Sequence, residues 1–294
     1  MDSAGRRGSA WAELSLLLTA FFFGTNFVAV KHVVEEVPPV LFAAVRFTAA
    51  GLLLWAVLRL LEPASRLKRA DLLPVVGLGL LGITATQTVF TIGVHHTTAA
   101  NTAVIYSTAP VWGMLLGFAL GLERPRVSGV AGVVMCLAGV AAIESGGLRL
   151  AGTSLLGDAL ILLAAVFWGS YTVLSLPLLR RYTPLAVAAY PMLLGGIAAF
   201  PLAAFDLRLD LFSLDGSVWF AALYSTLFSS AFGFVGWQKG VARVGANRVL
   251  VYQYLVALSG VVAGMVVLGE GFGLLQALGA AVILIGVYLA RRRA

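Results

Sequence analysis

Phe22-Phe23-Gly24-Thr25-Asn26, early in the first apolar segment, returns as Phe167-Trp168-Gly169-Ser170-Tyr171 in the sixth, with the glycine held at the same place. The second copy lies five segments on from the first. If each segment crosses a membrane, that odd displacement turns the second copy upside down. Two inverted halves of this kind enclose a site near the bilayer midplane that is opened to each side in turn.

The correspondence extends in both directions along the chain. Pro39 before the second segment pairs with Pro184 before the seventh. Ala100-Asn101 and Tyr106 in the fourth pair with Ala246-Asn247 and Tyr252 in the ninth, and Glu123, Gly132 and Gly139 pair with Glu270, Gly279 and Gly286. The spacing between partners drifts only from 145 to 147 residues. Ordered matches at a near-constant spacing mark an internal duplication. They divide the chain into a first repeat, 1–146, and a second, 147–294.

Composition sets the class. Of the 294 residues, 60% are hydrophobic and 11% charged, against about 45–50% and about 25% in soluble domains. Ten stretches approach the roughly 20 apolar residues that a span requires: 12–31, 39–59, 72–92, 99–121, 127–144, 156–177, 184–205, 217–237, 247–268 and 273–290. The fold class is therefore an all-α polytopic membrane protein of ten transmembrane helices in two inverted five-helix repeats. Arg6-Arg7 ahead of the first apolar stretch resembles a signal peptide, but no small-residue cleavage site follows and the stretch reads as a retained span.

The net charge of +7 is spread over short loops and not along one stripe, which argues against nucleic acid. It follows membrane topology instead. With the N-terminus inside, sixteen lysines and arginines fall in cytoplasmic segments, among them Arg66, Lys68, Arg69, Arg124, Arg126, Arg180, Arg181 and Arg248, while only Lys31, Arg149 and Arg208 fall outside. This positive-inside bias holds at every cytoplasmic loop, so both termini are expected in the cytoplasm.

The doubled Phe/Trp-Gly, Arg46-Phe47 in the second span, the Ala-Asn opening of the fourth and ninth, and Leu268-Gly269-Glu270 closing the ninth resemble the EamA family of the drug/metabolite transporter superfamily. The resemblance runs from about Leu14 to Ala290. It departs at Leu122-Glu123, which lacks the intervening glycine. It implies a central substrate cavity and export of metabolites such as amino acids across the cytoplasmic membrane.

Polar groups at bilayer depth are tolerated where they face protein or water, so they are where a pathway is sought. Arg46 is the one charge well inside a span; it suits bidentate binding of a substrate carboxylate and equally suits clamping helix-end carbonyls or snorkelling. Its repeat partner is Pro191. The hydroxyls of Thr84, Thr86, Thr88 and Thr91 in the third span and of Ser225, Thr226, Ser229 and Ser230 in the eighth read as helix packing. Gln87 differs, because its amide needs a partner beyond its own helix. Trp168 and Tyr171 share a helix face; with Tyr106, Trp237, Tyr252, Gln253 and Asn26 they complete the expected pathway lining, an aromatic wall suited to an amphipathic small molecule.

No aspartate or glutamate lies near the centre of a span, which argues against a proton-coupled multidrug cation exporter; that activity and metabolite uptake are the alternatives to export. Three histidines, two of them adjacent, do not make the clustered acid/base or metal set of a membrane-embedded enzyme. Cys136, the single cysteine, reads as packing. No cofactor, metal or catalytic residue is expected. The expected partners are a small-molecule substrate and the lipid bilayer, with no nucleic acid; a monomer and a homodimer both fit.

Overall fold

Proline opens equivalent helices in the two halves. Pro39 and Pro184 each stand in a first helical turn, where the missing N–H would have had no intrahelical partner. At the second of these the Thr183 hydroxyl caps the turn, accepting the Ala186 N–H at 3.2 Å.

The computed structural model describes residues 3–97, 99–124, 126–145, 154–204, 214–268 and 274–291, and among these all regular structure is helical. We number ten helices: α1 (Ser3–Glu36), α2 (Pro39–Leu61), α3 (Arg69–His96), α4 (Ala99–Tyr106 and Ala109–Ala119), α5 (Val127–Ser145), α6 (Leu155–Leu179), α7 (Pro184–Ala203), α8 (Gly216–Val244), α9 (Ala246–Leu250 and Gln253–Leu268) and α10 (Leu274–Arg291). Seven of them, α1–α3 and α6–α9, are long and apolar enough to cross a membrane by length and composition. The other three carry shorter apolar helices. At 1.5 Å per residue the 19 residues of α5 and 18 of α10 still reach about 27 Å, close to the hydrocarbon thickness of about 30 Å.

The outward faces are apolar. Phe118, Phe220, Val266 and Leu284 are all more than half exposed, which a water-facing surface would not sustain and a lipid-facing one requires. The helices α1, α3 and α8 run past the expected ends at 31, 92 and 237, to Glu36, His96 and Val244. Hydropathy marks the edge of the hydrocarbon, whereas a helix continues until a cap or a clash stops it.

Packing treats the halves alike. α1 lies against α9 as α6 lies against α4; α1 meets α8 as α6 meets α3; α2 meets α8 as α7 meets α3; and α2–α7 and α5–α10 pair directly. Exchanging the first five helices for the last five reproduces this pattern. The opening motif shows why glycine is retained in both copies. A Cβ on Gly24 would stand 2.3 Å from the Val256 carbonyl oxygen of α9, and one on Gly169 2.5 Å from the Ala109 carbonyl oxygen of α4.

Two irregularities are also doubled. α4 and α9 break at Ser107–Thr108 and Val251–Tyr252. α3 and α8 widen into π-helix over Leu80–Ala85 and Ser225–Gly233, a form that collects at functional sites. The ends of the bundle are tied across the halves. At the arginine-rich end Asp71 accepts from Arg181 and, at 2.7 Å, from the Tyr182 hydroxyl, and Glu62 accepts from the Thr183 hydroxyl. At the opposite end the Thr97 hydroxyl donates to Asp158 at 2.7 Å; within the first half, the Lys31 ammonium caps the α3 terminus through the Val94, His95 and Thr97 carbonyls at 3.2–3.3 Å.

Candidate functional site

The π segment of α8 and the two opening motifs converge on one cavity. Its wall is drawn from both halves: Phe23, Asn26 and Phe27 of α1, Arg46 of α2, Gln87 and Phe90 of α3, Tyr106 of α4, Trp168 of α6, Ser229 and Phe234 of α8, and Gln253 and Val256 of α9. It is narrow, with about 40 Å³ open to the centre of a water-sized sphere. That is room for about three waters, at roughly 10–15 Å³ each.

Arg46 crosses from α2 to the π segment of α8. Its Nε donates to the Ser230 hydroxyl at 2.7 Å and its Nη2 to Ser229 at 3.1 Å, with the guanidinium 4.7 Å from the Phe47 ring centroid. Its hydrogen bonds go neither to helix-end carbonyls nor to a carboxylate. Nη1 is buried and has no partner.

Three further atoms of lining residues share that condition: Asn26 Oδ1, Trp168 Nε1 and Gln253 Oε1 are buried without a hydrogen-bond partner. A buried polar atom left unpaired costs about 1–3 kcal/mol, so four around one void are an expensive arrangement that a polar ligand would relieve.

Trp168 anchors an aromatic layer behind them. Its ring stacks on Tyr171 at 5.4 Å and meets Phe23, Phe234 and Trp237 at 5.3–5.8 Å. The polar atoms of this second layer are paired. Gln238 Nε2 donates to the Tyr171 hydroxyl at 2.8 Å, and Trp237 Nε1 donates to the Thr172 hydroxyl at 3.1 Å.

Of the nine side chains that the sequence assigns to the pathway, Asn26, Arg46, Gln87, Tyr106, Trp168 and Gln253 line the cavity. Tyr171 and Trp237 lie behind it, as its rigid backing. Tyr252 is buried in the core and off the wall: it lies in the break of α9, and Gln253, the first residue of the helix beyond it, takes the inward position. Half of the eight hydroxyls behave as packing groups: Thr91 donates to the Gln87 carbonyl, Thr86 to that of Leu81, Thr226 to that of Ala222, and Thr84 to that of Gly195 across to α7.

The duplication and the helical wall agree with the comparisons. The model of the EamA-like transporter family matches residues 10–144 and again 155–292. The chain belongs to this family. An uncharacterized transporter of Archaeoglobus fulgidus is 29% identical over 286 residues, spanning 96% of this chain and 99% of its own. A probable terminal-alkyne amino-acid exporter of Streptantibioticus cattleyicolor is 32% identical over 229 residues, 78% of this chain and 76% of its own. A crystal structure at 22% identity superposes with a TM-score of 0.78 over 96% of both chains and shows the same fold. As an EamA-family member the chain is a multi-pass membrane transporter.

Several EamA cavity residues escaped the sequence reading, and a signal existed for most of them. Phe23 precedes Asn26 by three and Phe27 follows Phe23 by four, Phe90 follows Gln87 by three, and Val256 follows Gln253 by three. These are same-face steps on a helix, so each polar lining residue pointed to its apolar neighbours. Ser229 and Ser230 carried no such mark. Nothing in the sequence pairs them with Arg46 more than 180 residues away.

Proposed function

We propose that this transporter exports a small zwitterionic metabolite of the amino-acid type across the cytoplasmic membrane, by alternating access of two inverted halves whose termini both lie in the cytoplasm. The observation that carries the reading is the set of four unpartnered atoms on the cavity wall. Two are donors, Arg46 Nη1 and Trp168 Nε1, and two are acceptors, Asn26 Oδ1 and Gln253 Oε1. An α-amino acid offers the complement, a carboxylate for the donors and an ammonium for the acceptors. The aromatic remainder of the wall suits an apolar side chain.

The lysine and arginine bias supports the orientation. The relative described as a probable amino-acid exporter supports the substrate class. A cavity of about 40 Å³ is far below the roughly 300 Å³ of a small-molecule site, so loading requires the halves to part. Arg46, which holds α2 to the π segment of α8, is placed to feel the substrate and the movement together. No carboxylate is among the lining residues, which favours facilitated efflux over proton-coupled export of lipophilic cations.

The test is purified protein in liposomes preloaded with an amino-acid mixture, followed by mass spectrometry of what leaves. Selective loss of one class, saturable and insensitive to collapse of the pH gradient, is the expected result. If no solute leaves faster than from protein-free liposomes in either orientation, the transport reading fails.

A further inference from the structure

A second pocket, of about 330 Å³, opens at the arginine-rich end, away from the central cavity. It lies where the α4–α5 turn of the first half meets the start of α9 in the second. Arg124 and Arg126 of the first half and Arg248 of the second line it, together with the apolar Met114 and Val251 and with Glu123.

The charges do not cancel. The Glu123 carboxylate is already engaged, accepting the N–H groups of Ala246 at 3.0 Å and Asn247 at 2.6 Å. Among the described residues the ion pairs are Lys31–Glu35 and Arg181–Asp71, so none of the three pocket arginines has a carboxylate partner. Three arginines thus line one pocket against the single carboxylate of Glu123, leaving an excess of positive charge. Planar guanidinium forks match the oxygens of a phosphate.

The surroundings identify the source of such an anion. On the first turn of α5 Val127 is 88% and Val130 43% exposed, and Phe118 on the last turns of α4 is 65% exposed. An apolar outer surface therefore flanks the charged pocket. A free phosphate has no use for that surface, whereas acyl chains do. We propose that this pocket binds the phosphodiester headgroup of an anionic phospholipid, bridging Arg124 and Arg126 of the first half to Arg248 of the second. Basic pockets between transmembrane helices on the cytoplasmic side recognise lipid headgroups in this way. A bridge between the halves favours the arrangement in which Glu123 holds the start of α9. The proposal is independent of what the central cavity carries.

The test is native mass spectrometry of the full-length protein in detergent with phosphatidylglycerol or phosphatidylcholine of matched acyl chains. Wild type is expected to retain phosphatidylglycerol at least about tenfold better, since both lipids carry the phosphodiester but the choline cation of phosphatidylcholine compensates its charge and is repelled by the three arginines. Arg124→Gln/Arg126→Gln/Arg248→Gln removes that preference. Arg66→Gln/Lys68→Gln/Arg69→Gln, which takes three exposed charges from the same end, keeps it. Preference surviving in the first variant, or lost equally in the second, overturns the site. Should the first variant fail to fold, Arg126→Gln alone, at an exposed turn, is expected to weaken the preference severalfold, and an unchanged preference overturns the site. A separate arm titrates inorganic phosphate without lipid: a rise in melting temperature that needs the three arginines, with no preference between the lipids, overturns the lipid assignment in favour of a soluble phosphate.

Discussion

The seam between α5 and α10 and the layer around Trp168 are both assembled from equivalent parts of the two halves, yet they are finished differently. In the seam no buried side-chain nitrogen or oxygen lacks a partner among the described residues. A Cβ on Gly132 would lie 2.6 Å from the Gly286 carbonyl oxygen, one on Gly139 2.8 Å from that of Gly279, and the Cys136 thiol reaches the Ile283 carbonyl at 3.5 Å. Around Trp168 the packing is as dense, but four polar atoms on the cavity wall lack partners. The seam is a framework joining one half to the other. The central layer is incomplete by itself, which is how a binding surface differs from a core.

The largest effect is expected from Gly286→Leu. Its new atoms would meet the Cys136 sulfur at 2.5 Å and the Gly132 carbonyl at 2.8 Å, an overpacking worth about 3 kcal/mol. The yield of monodisperse protein and the melting temperature are both expected to collapse, and a normal melt would show that the seam is not framework.

Next comes Arg46→Ala. Efflux of carboxylated substrates is expected to fall about tenfold to hundredfold, from loss of charged hydrogen bonds worth about 1.5–3 kcal/mol, while neutral solutes are unaffected. Loss of folded protein on the scale of Gly286→Leu would instead place Arg46 with the framework.

Gln253→Leu sharpens the contrast from the other side. Removing a buried amide whose oxygen is unpaired is expected to raise the melting temperature by the equivalent of about 1 kcal/mol while efflux falls. A variant that is both less stable and fully active would break the comparison.

The smallest effect concerns Glu123, outside the spans. Burial is the largest influence on it and raises its pKa above 4.5, opposed by the Asn247 and Ala246 N–H groups and by Arg248. The folded state therefore holds this proton more tightly than the unfolded chain. Its contribution to stability is full in acid and is lost as the pH rises through the raised pKa. The melting temperature of wild type relative to Glu123→Gln is expected to drop as the pH rises from acid to neutral. A difference independent of pH would remove the carboxyl from this role.

Much of the fold was legible because its signals are repeated or global. The Gly24 and Gly169 motifs, Pro39 and Pro184, and the alternation of basic loops each report on the whole chain. The breaks were less so. Pro110 in the first turn of Ala109–Ala119 hints at the interruption of α4, but Val251–Tyr252 in α9 has no proline or glycine. The π segments were illegible, since Leu80–Ala85 reads as any other apolar run. In the site, depth and polarity singled out Arg46, Asn26, Gln87 and Gln253. They did not separate Trp168 on the wall from Tyr171 and Trp237 behind it, because all three are aromatic residues at bilayer depth and only the packing decides which ring is in front.

The π segments also preserve a trace of how the halves diverged. They begin at Leu80 and Ser225, 145 residues apart like Phe22 and Phe167, whereas Ala100 and Ala246 beyond them are 146 apart. The π segment, six residues in α3 and nine in α8, lies within the interval over which the second copy gained a residue. A turn closed by i→i+5 bonds holds one residue more than an α turn, so an insertion can be absorbed there inside a span, with no loop to lengthen. The helices on either side keep their phase while the wall bearing Ser229 is rebuilt. A duplicated chain can thus alter what it recognises by editing a single turn, leaving inherited the machinery that joins its halves.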